Sequence, residues 1–135
     1  MSSSILALDV GERRIGVAIA SKLARLPRPL TTLNNEGAIW QRIEDLAQQE
    51  AADVVVVGLP RNLSGEDTAQ TAYVRAFVQP SSKFSVVFQD EALTSQKAES
   101  ELKSRGKPYE KGDIDALAAT YILEDYLQQH AGATQ

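Results

Sequence analysis

Three carboxylates occupy positions from which they could serve one reaction centre. Asp9 ends the apolar run of residues 5–9, Glu91 ends a second apolar run, and Asp115 lies among small residues near the start of the last predicted helix. The carboxyl ends of parallel strands meet at one edge of an α/β sheet, where sites commonly form. We therefore expect the three side chains to converge at that edge.

Clustered carboxylates repel one another and need a compensating charge. Two of them about 4 Å apart cost about 4 kcal/mol at an effective dielectric constant of about 20. Mg²⁺ relieves this repulsion because it binds carboxylate oxygens and keeps several waters. A pair of such ions can also activate water and stabilise the leaving oxygen of a phosphodiester. Asp9, Glu91 and Asp115 are thus predicted to bind Mg²⁺ or Mn²⁺ and to be the catalytic residues.

The other acidic residues have simpler interpretations. Most of the 18 Asp and Glu side chains should be solvated surface charge. Asp90 should face away from Glu91, because neighbouring residues of a strand point to opposite faces. Asp113 is expected to be the N-cap of the last helix. The single histidine, His130, lies in a polar tail, which argues against histidine-based catalysis.

Basic residues accompany the same predicted edge, where cations beside carboxylates could contact phosphates. They are Arg13, Arg14, Arg61, Lys103, Arg105, Lys107 and Lys111. Tyr109 could stack on a base. We expect substrate binding by Arg14, Arg61, Asn62 and Lys111, with the loops 59–67 and 104–112 as the mobile walls of the site.

The order of predicted elements defines the fold class as α/β. Strands are predicted at residues 5–9, 15–20, 23–33 (an edge segment, because of its prolines), 53–58 and 84–91, and helices at about 36–50, 68–79, 96–104 and 113–129. Three antiparallel strands followed by βα units predict a mixed sheet with helices on both faces. A right-handed crossover would place strand 53–58 beside the first strand.

Three glycines and one asparagine are assigned local roles. Gly11 is expected to take a positive φ in the first turn. Gly16, inside the second strand, marks a bulge or a close approach to the backbone. Gly106 should end the third helix, and Asn35 is a plausible cap of the first helix.

Length and composition limit the classes of protein that this chain can represent. A chain of 135 residues predicts a single domain, spanning 1–135. The absence of cysteine excludes a disulfide framework and agrees with a reducing cytoplasm. No signal peptide or membrane span is expected. Because the net charge is −4, any nucleic-acid binding must rely on local basic clusters.

Four sequence motifs occur in a characteristic order. They are Asp9-Val10-Gly11 with Arg14-Ile15-Gly16-Val17-Ala18, Val57-Gly58-Leu59-Pro60 with Asn62 and Gly65, Asp90-Glu91 with Leu93-Thr94, and Lys111-Gly112 with Ile114-Asp115 and Ala118. This order resembles the YqgF (RuvX) family, the bacterial pre-16S rRNA nucleases that are also described as Holliday-junction-resolvase-like proteins. The resemblance covers about residues 6–126.

The resemblance implies an RNase H-like fold and a metal-dependent nuclease that trims the 5′ end of 16S ribosomal RNA in the cytoplasm. It maps the acidic residues of that site onto Asp9, Glu91 and Asp115. Three departures stand out, since the family commonly has an aromatic residue at Val10, an acidic one at Ser64 and an arginine at Ala92. The loss of a basic residue at Ala92 affects substrate affinity more than metal chemistry.

Other functions remain open from the sequence. The alternative substrate is a branched DNA junction, as for a Holliday junction resolvase. A phosphotransferase of the actin and sugar-kinase type also begins with an Asp-x-Gly hairpin, but it needs two such domains to enclose ATP. A nonenzymatic RNA-binding or ribosome-assembly factor is a third alternative. The sequence leaves open whether the chain is a monomer or a homodimer.

Overall fold

The protein is built on a mixed five-stranded sheet. This computed structural model describes residues 3–91 and 94–130, the side chains of residues 94–97 excepted. The strands lie in the order β3-β2-β1-β4-β5. Their bounds are β1 Ser4–Val10, β2 Arg14–Ser21, β3 Arg28–Asn34, β4 Ala52–Pro60 and β5 Ser85–Glu91. β1, β2 and β3 pair antiparallel, whereas β4 runs parallel to both β1 and β5. The predicted sheet is confirmed, including the edge position of β3 and the pairing of β1 with β4.

Helices cover both faces of the sheet, as predicted. They are α1 Ile39–Gln49, α2 Ala69–Phe77, α3 Thr94–Ser104 and α4 Lys111–Gln129. α1 and α2 pack on one face, α4 packs on the other, and α3 packs mainly against α4. None of the described helices is long and apolar enough to cross a lipid bilayer.

Strand alternation divides the core of the protein into two clusters. Leu6 and Leu8 of β1 belong to the cluster that contains Trp40 of α1, whereas Ile5 and Ala7 belong to the cluster beneath α4. Continuing this alternation by two residues puts Asp9 on the α4 face of the sheet. The side-chain pattern of β1 thus directs its one carboxylate toward α4.

The backbone of α4 touches the sheet at Gly16. A Cβ atom built on Gly16 would overlap the backbone oxygen of Asp115. Gly58, on neighbouring β4, is similarly close to α4, since a Cβ built there would overlap the Cδ1 atom of Ile122. The expectation of a close approach at Gly16 is confirmed, and the approaching group is the predicted site helix itself.

The first turn is held by a different geometry from the one predicted. Gly11 does not take a positive φ; among the described glycines only Gly37, Gly65 and Gly106 do. A Cβ on Gly11 would instead lie 2.7 Å from the backbone oxygen of Arg14, which accepts the Gly11 N–H at 2.9 Å. The turn therefore requires glycine because the backbone closes tightly on itself.

Two predicted helix caps are wrong. α1 has Ala38 at its N-cap, and Asn35 instead donates to the backbone oxygen of Gly11 and the hydroxyl of Tyr73, both at 2.8 Å. Asparagine competes readily for such local backbone partners, which is why its role is ambiguous in a sequence. α4 begins two residues earlier than predicted, because Glu110 is its N-cap and Asp113 closes a capping box.

The remaining boundaries differ by a few residues. β4 extends through Leu59 and Pro60, which the sequence assigned to the following loop, because both residues pair with the end of β5. α1 and α2 are each shorter than predicted at both ends. Gly106 has a φ of +69° just after α3, as expected for a helix stop.

Replacing Gly16 tests the contact between α4 and β2. We expect Gly16→Ala to destabilise the protein by about 3 kcal/mol, because its methyl group would overlap the Asp115 backbone. Gly112→Ala, in the first turn of α4, is the matched control, since a Cβ there would meet Thr32 at an ordinary 3.6 Å. Denaturant unfolding measures both, and equal stabilities of the two variants would contradict the importance of the contact.

Candidate active site

Asp9 lies where β1, β2 and α4 meet. It is half-buried near the carboxyl end of β1 and is paired across the ladder with Gly16 of β2. Because the Asp115 backbone rests on Gly16, the start of α4 is next to Asp9. Two acidic residues that are far apart in sequence are therefore neighbours in the fold.

Asp115 is held by an arginine. The Nε atom of Arg14 donates to Oδ2 of Asp115 at 2.6 Å, and the two side chains are 32% and 18% exposed. A partly buried, charge-assisted hydrogen bond of this length is a strong one. Arg14 thereby fixes the orientation of the Asp115 carboxylate.

The position of α4 over β3 is fixed by a second polar contact. The hydroxyl of Thr32 donates to the backbone oxygen of Gly112 at 2.7 Å. Together with the Gly16 contact, this bond ties the first turn of α4 to two neighbouring strands. The carboxylate of Asp115 is thus carried by a rigid element.

Burial and a neighbouring negative charge keep Asp9 protonated to an unusually high pH. Burial is the larger cause and the charge of Asp115 the smaller, and together they raise the pKa of Asp9 from 3.8 to about 7. A strongly perturbed carboxyl group next to a specific charged partner is typical of functional sites. A cation bound between the two carboxylates would favour the ionised form of Asp9.

Glu91 lies at the same end and on the same face of the sheet. It ends β5 opposite Pro60 and is half-buried. The sheet register aligns Leu8 of β1 with Val57 of β4 and Phe88 of β5. Asp9 is one residue beyond this row, whereas Glu91 is three residues beyond it. Glu91 is therefore two strands away from Asp9 and further toward the rim.

The described side chains bring two of the three predicted ligands together. Asp9 and Asp115 interact electrostatically, but within residues 3–91 and 94–130 no group of three or more His, Cys, Asp or Glu side chains is arranged to hold a metal ion. The Asp9–Asp115 pair nevertheless offers the hard oxygen donors that Mg²⁺ and Mn²⁺ prefer. The metal-binding role of the three residues stays a prediction.

Arg61 and Asn62 are engaged within the loop that follows β4. Arg61 forms ion pairs with Asp67 and Asp90, the latter at 3.3 Å. The side-chain oxygen of Asn62 accepts the backbone N–H groups of Ser64 at 3.0 Å and Glu66 at 2.9 Å. Both side chains order the loop, and their predicted contacts to substrate stay predictions.

The loop lies beside Glu91, as expected for a wall of the site. A cavity of about 250 Å³ is lined by Arg61, Asn62, Leu63, Gly65, Asp90 and Glu91. Asp90 reaches Arg61 from the face of β5 opposite to Glu91, in agreement with strand alternation. Three positions of this chain differ from the residues common in the family. Ser64 is exposed in this loop, Val10 is buried, and Ala92 lies outside the described residues.

Lys111 is the remaining predicted phosphate contact. It is the first residue of α4, is exposed, and forms no ion pair with another described side chain. Sequence reasoning missed the partnership of Arg14 with Asp115. The two residues are 101 positions apart, so only the convergence of strand and helix reveals the pair.

Solved structures share the architecture of this chain. An RuvC from T. thermophilus in complex with a Holliday junction substrate superposes with a TM-score of 0.51 at 16% identity, covering 96% of each chain. The fowlpox virus Holliday junction resolvase gives 0.51 at 15% identity, covering 93% of this chain and 99% of the viral one. The fold is therefore the RNase H-like fold of the RuvC-type resolvases.

Sequence comparison identifies the family within this fold. The model of the RuvX family, described as Holliday junction resolvase, matches residues 3–129. A Chloroflexus aurantiacus relative, provisionally named pre-16S rRNA nuclease, is 49% identical over 91% of this chain and 85% of its own length. A relative of the same name from Sodalis glossinidius is 40% identical over 95% and 96%. The chain belongs to the RuvX family.

The raised pKa of Asp9 predicts a characteristic pH dependence of stability. Below about pH 3 the group is protonated in both folded and unfolded chains. As the pH rises toward 7 the unfolded chain ionises first, so stability is lost until the pH passes about 7. In chelator above pH 7, Asp9→Asn should be about 1–3 kcal/mol more stable than the parent, with no difference at about pH 3.

Thermal melts across this pH range measure the effect. Asp45→Asn is the control, since Asp45 is exposed on α1 and accepts one hydrogen bond from Gln41. An Asp9→Asn variant that melts lower than the parent in chelator would instead assign Asp9 a structural hydrogen bond and contradict the electrostatic cost of its ionised form.

Proposed function

We propose that this chain is a metal-dependent endonuclease that acts on the 5′ end of pre-16S ribosomal RNA in the cytoplasm. The observation that carries the proposal is the Asp9–Asp115 pair, assembled by the contact of α4 with β2 and marked by the raised pKa of Asp9. Membership of the RuvX family and the names of the relatives support a nuclease. The absence of cysteine suits a reducing compartment.

The proposed site assigns a distinct task to each side chain. Asp9, Asp115 and Glu91 would hold Mg²⁺ or Mn²⁺, which when bound lowers the pKa of a coordinated water and stabilises charge on the phosphate. Arg14 orients Asp115 through the 2.6 Å hydrogen bond. Lys111 presents an exposed cation at the start of α4, where the helix dipole also favours an anion.

The choice of RNA rests on the relatives, and a branched DNA substrate is the second candidate. The T. thermophilus RuvC whose fold this chain shares was solved with a Holliday junction. That resemblance concerns the fold at 16% identity, whereas the relatives named for pre-16S rRNA reach 49%. We therefore place the ribosomal RNA precursor first.

A cleavage assay compares the two substrates directly. With Mg²⁺ or Mn²⁺ present, the parent should cut a precursor 16S fragment near its mature 5′ end faster than a four-way DNA junction. Asp9→Asn and Asp115→Asn should each lose at least about 100-fold, since outer partners of metal ligands alone are worth about 10–100-fold. Asp45→Asn should keep the parental rate.

The same assay separates the alternatives. Preferential cleavage of the junction would replace RNA by branched DNA as the substrate. RNA binding without metal-dependent cleavage would make the chain an assembly factor and contradict the nuclease.

Mg²⁺ should also raise the melting temperature of the parent more than that of Asp9→Asn, because only the parent keeps the full ligand set.

The role of Lys111 is tested by salt dependence. Each neutralised phosphate contributes about one unit to the slope of log affinity against log salt. Lys111→Ala should weaken RNA binding and lower that slope by about 0.7–0.9. Lys83→Ala is the control, because Lys83 is exposed just before β5, at the opposite end of that strand from Glu91. An unchanged slope for Lys111→Ala would remove this residue from the binding surface.

A further inference from the structure

A second cavity lies on the other side of α4 from Asp115. It has a volume of about 250 Å³ and opens between β3, α3, α4 and the segment joining the two helices. Its floor is apolar and is formed by Pro29, Leu102, Pro108, Ala116 and Leu117. Since successive helix residues are about 100° apart, Asp115 projects away from the face that carries Ala116 and Leu117.

Two cations lie at this cavity. Arg105 and Lys107 both line it and are exposed on either side of Gly106. Arg105 also approaches Glu101 at 3.6 Å, a loose and exposed pair, whereas Lys107 forms no ion pair with the described side chains. Among the described residues that line the cavity, Asp113 is the one carboxylate, and its Oδ2 atom accepts the Glu110 N–H at 2.9 Å.

The chemistry of the cavity matches one nucleotide. An apolar slot accepts the flat face of a base, and adjacent cations accept the phosphate, so a ligand with both parts satisfies both features. The two cations flank Gly106, whose φ of +69° ends α3 and turns the backbone between them. A purely apolar ligand would leave the cations unused, and a free phosphate would leave the floor exposed.

We propose that this cavity is a nucleotide slot that receives one unpaired nucleotide of the substrate strand, with Lys107 and Arg105 on its phosphate. The inference rests on the proposed function and adds a second point of attachment to it. The slot and Asp115 are separated by α4, whose diameter is about 10 Å. A single strand that occupies both sites must pass around this helix. The bound nucleotide would therefore set which phosphodiester reaches the acidic site.

Nucleotide titrations followed by amide NMR test the slot in chelator, where no cleavage occurs. The probes are adenosine 5′-monophosphate, adenosine and ribose 5-phosphate. Adenosine 5′-monophosphate should bind at least about threefold more tightly than either fragment, with shifts confined to residues 105–108 and 113–117. Lys107→Ala should weaken the monophosphate about threefold and leave adenosine unchanged, whereas Lys83→Ala should change neither.

Any of three results would overturn the slot. They are equally tight binding of ribose 5-phosphate and the complete nucleotide, shifts centred on Arg14 and Lys111, and identical behaviour of Lys107→Ala and Lys83→Ala.

Cleavage assays keep this inference separate from the proposed function. Nucleotide binding at residues 105–117 without RNA cleavage would refute the nuclease and keep the slot. RNA cleavage with no nucleotide binding and an unchanged KM in Lys107→Ala would refute the slot and keep the nuclease.

Discussion

The direct contact between the backbone of α4 and Gly16 is the constraint on which the candidate site depends. Any side chain at position 16 would overlap the Asp115 carbonyl, so glycine alone allows the helix to descend to this depth. At that depth Asp115 meets Arg14 and acts on the pKa of Asp9. A helix displaced outward by the thickness of a methyl group would weaken both interactions, because each falls off with distance.

Without a metal ion, the negative charges of the site are only partly compensated by neighbouring positive charge. Arg14 compensates Asp115, and Asp9 responds to its surroundings through a pKa of about 7. A cation that entered between the two carboxylates would favour the ionised form of Asp9 and release its proton. Metal binding would therefore be linked to pH, while Arg14 keeps Asp115 oriented.

The sequence predicted the parts of this structure that follow from periodicity and topology. Continuous apolar runs identified β1 and β4, chain order placed them side by side, and alternation put Asp90 and Glu91 on opposite faces. The role of Gly16 could also be predicted, because a glycine inside a buried strand commonly marks a bulge or a close backbone approach. The mixed sheet followed from these features, and the RNase H-like fold was implied by the resemblance that the four motifs carry.

Other features depend on geometry that a sequence does not encode locally. Asn35 and Asp113 were assigned to the wrong caps because several polar residues compete at each helix start. Gly11 is required by a close backbone contact, which looks the same in a sequence as a positive φ. The pairing of Arg14 with Asp115 and the cavity beside Lys107 arise only after α4 has docked.

The chain order of the elements around Asp9 has a consequence for biosynthesis. The hairpin that carries Asp9 and Arg14 is synthesised before α4, which carries Asp115. Contacts of such long sequence separation form late, after the intervening strands have paired. An incomplete chain would thus contain the hairpin and most of the sheet but no acidic pair. The Asp9–Asp115 pair can therefore form only after α4 has been translated.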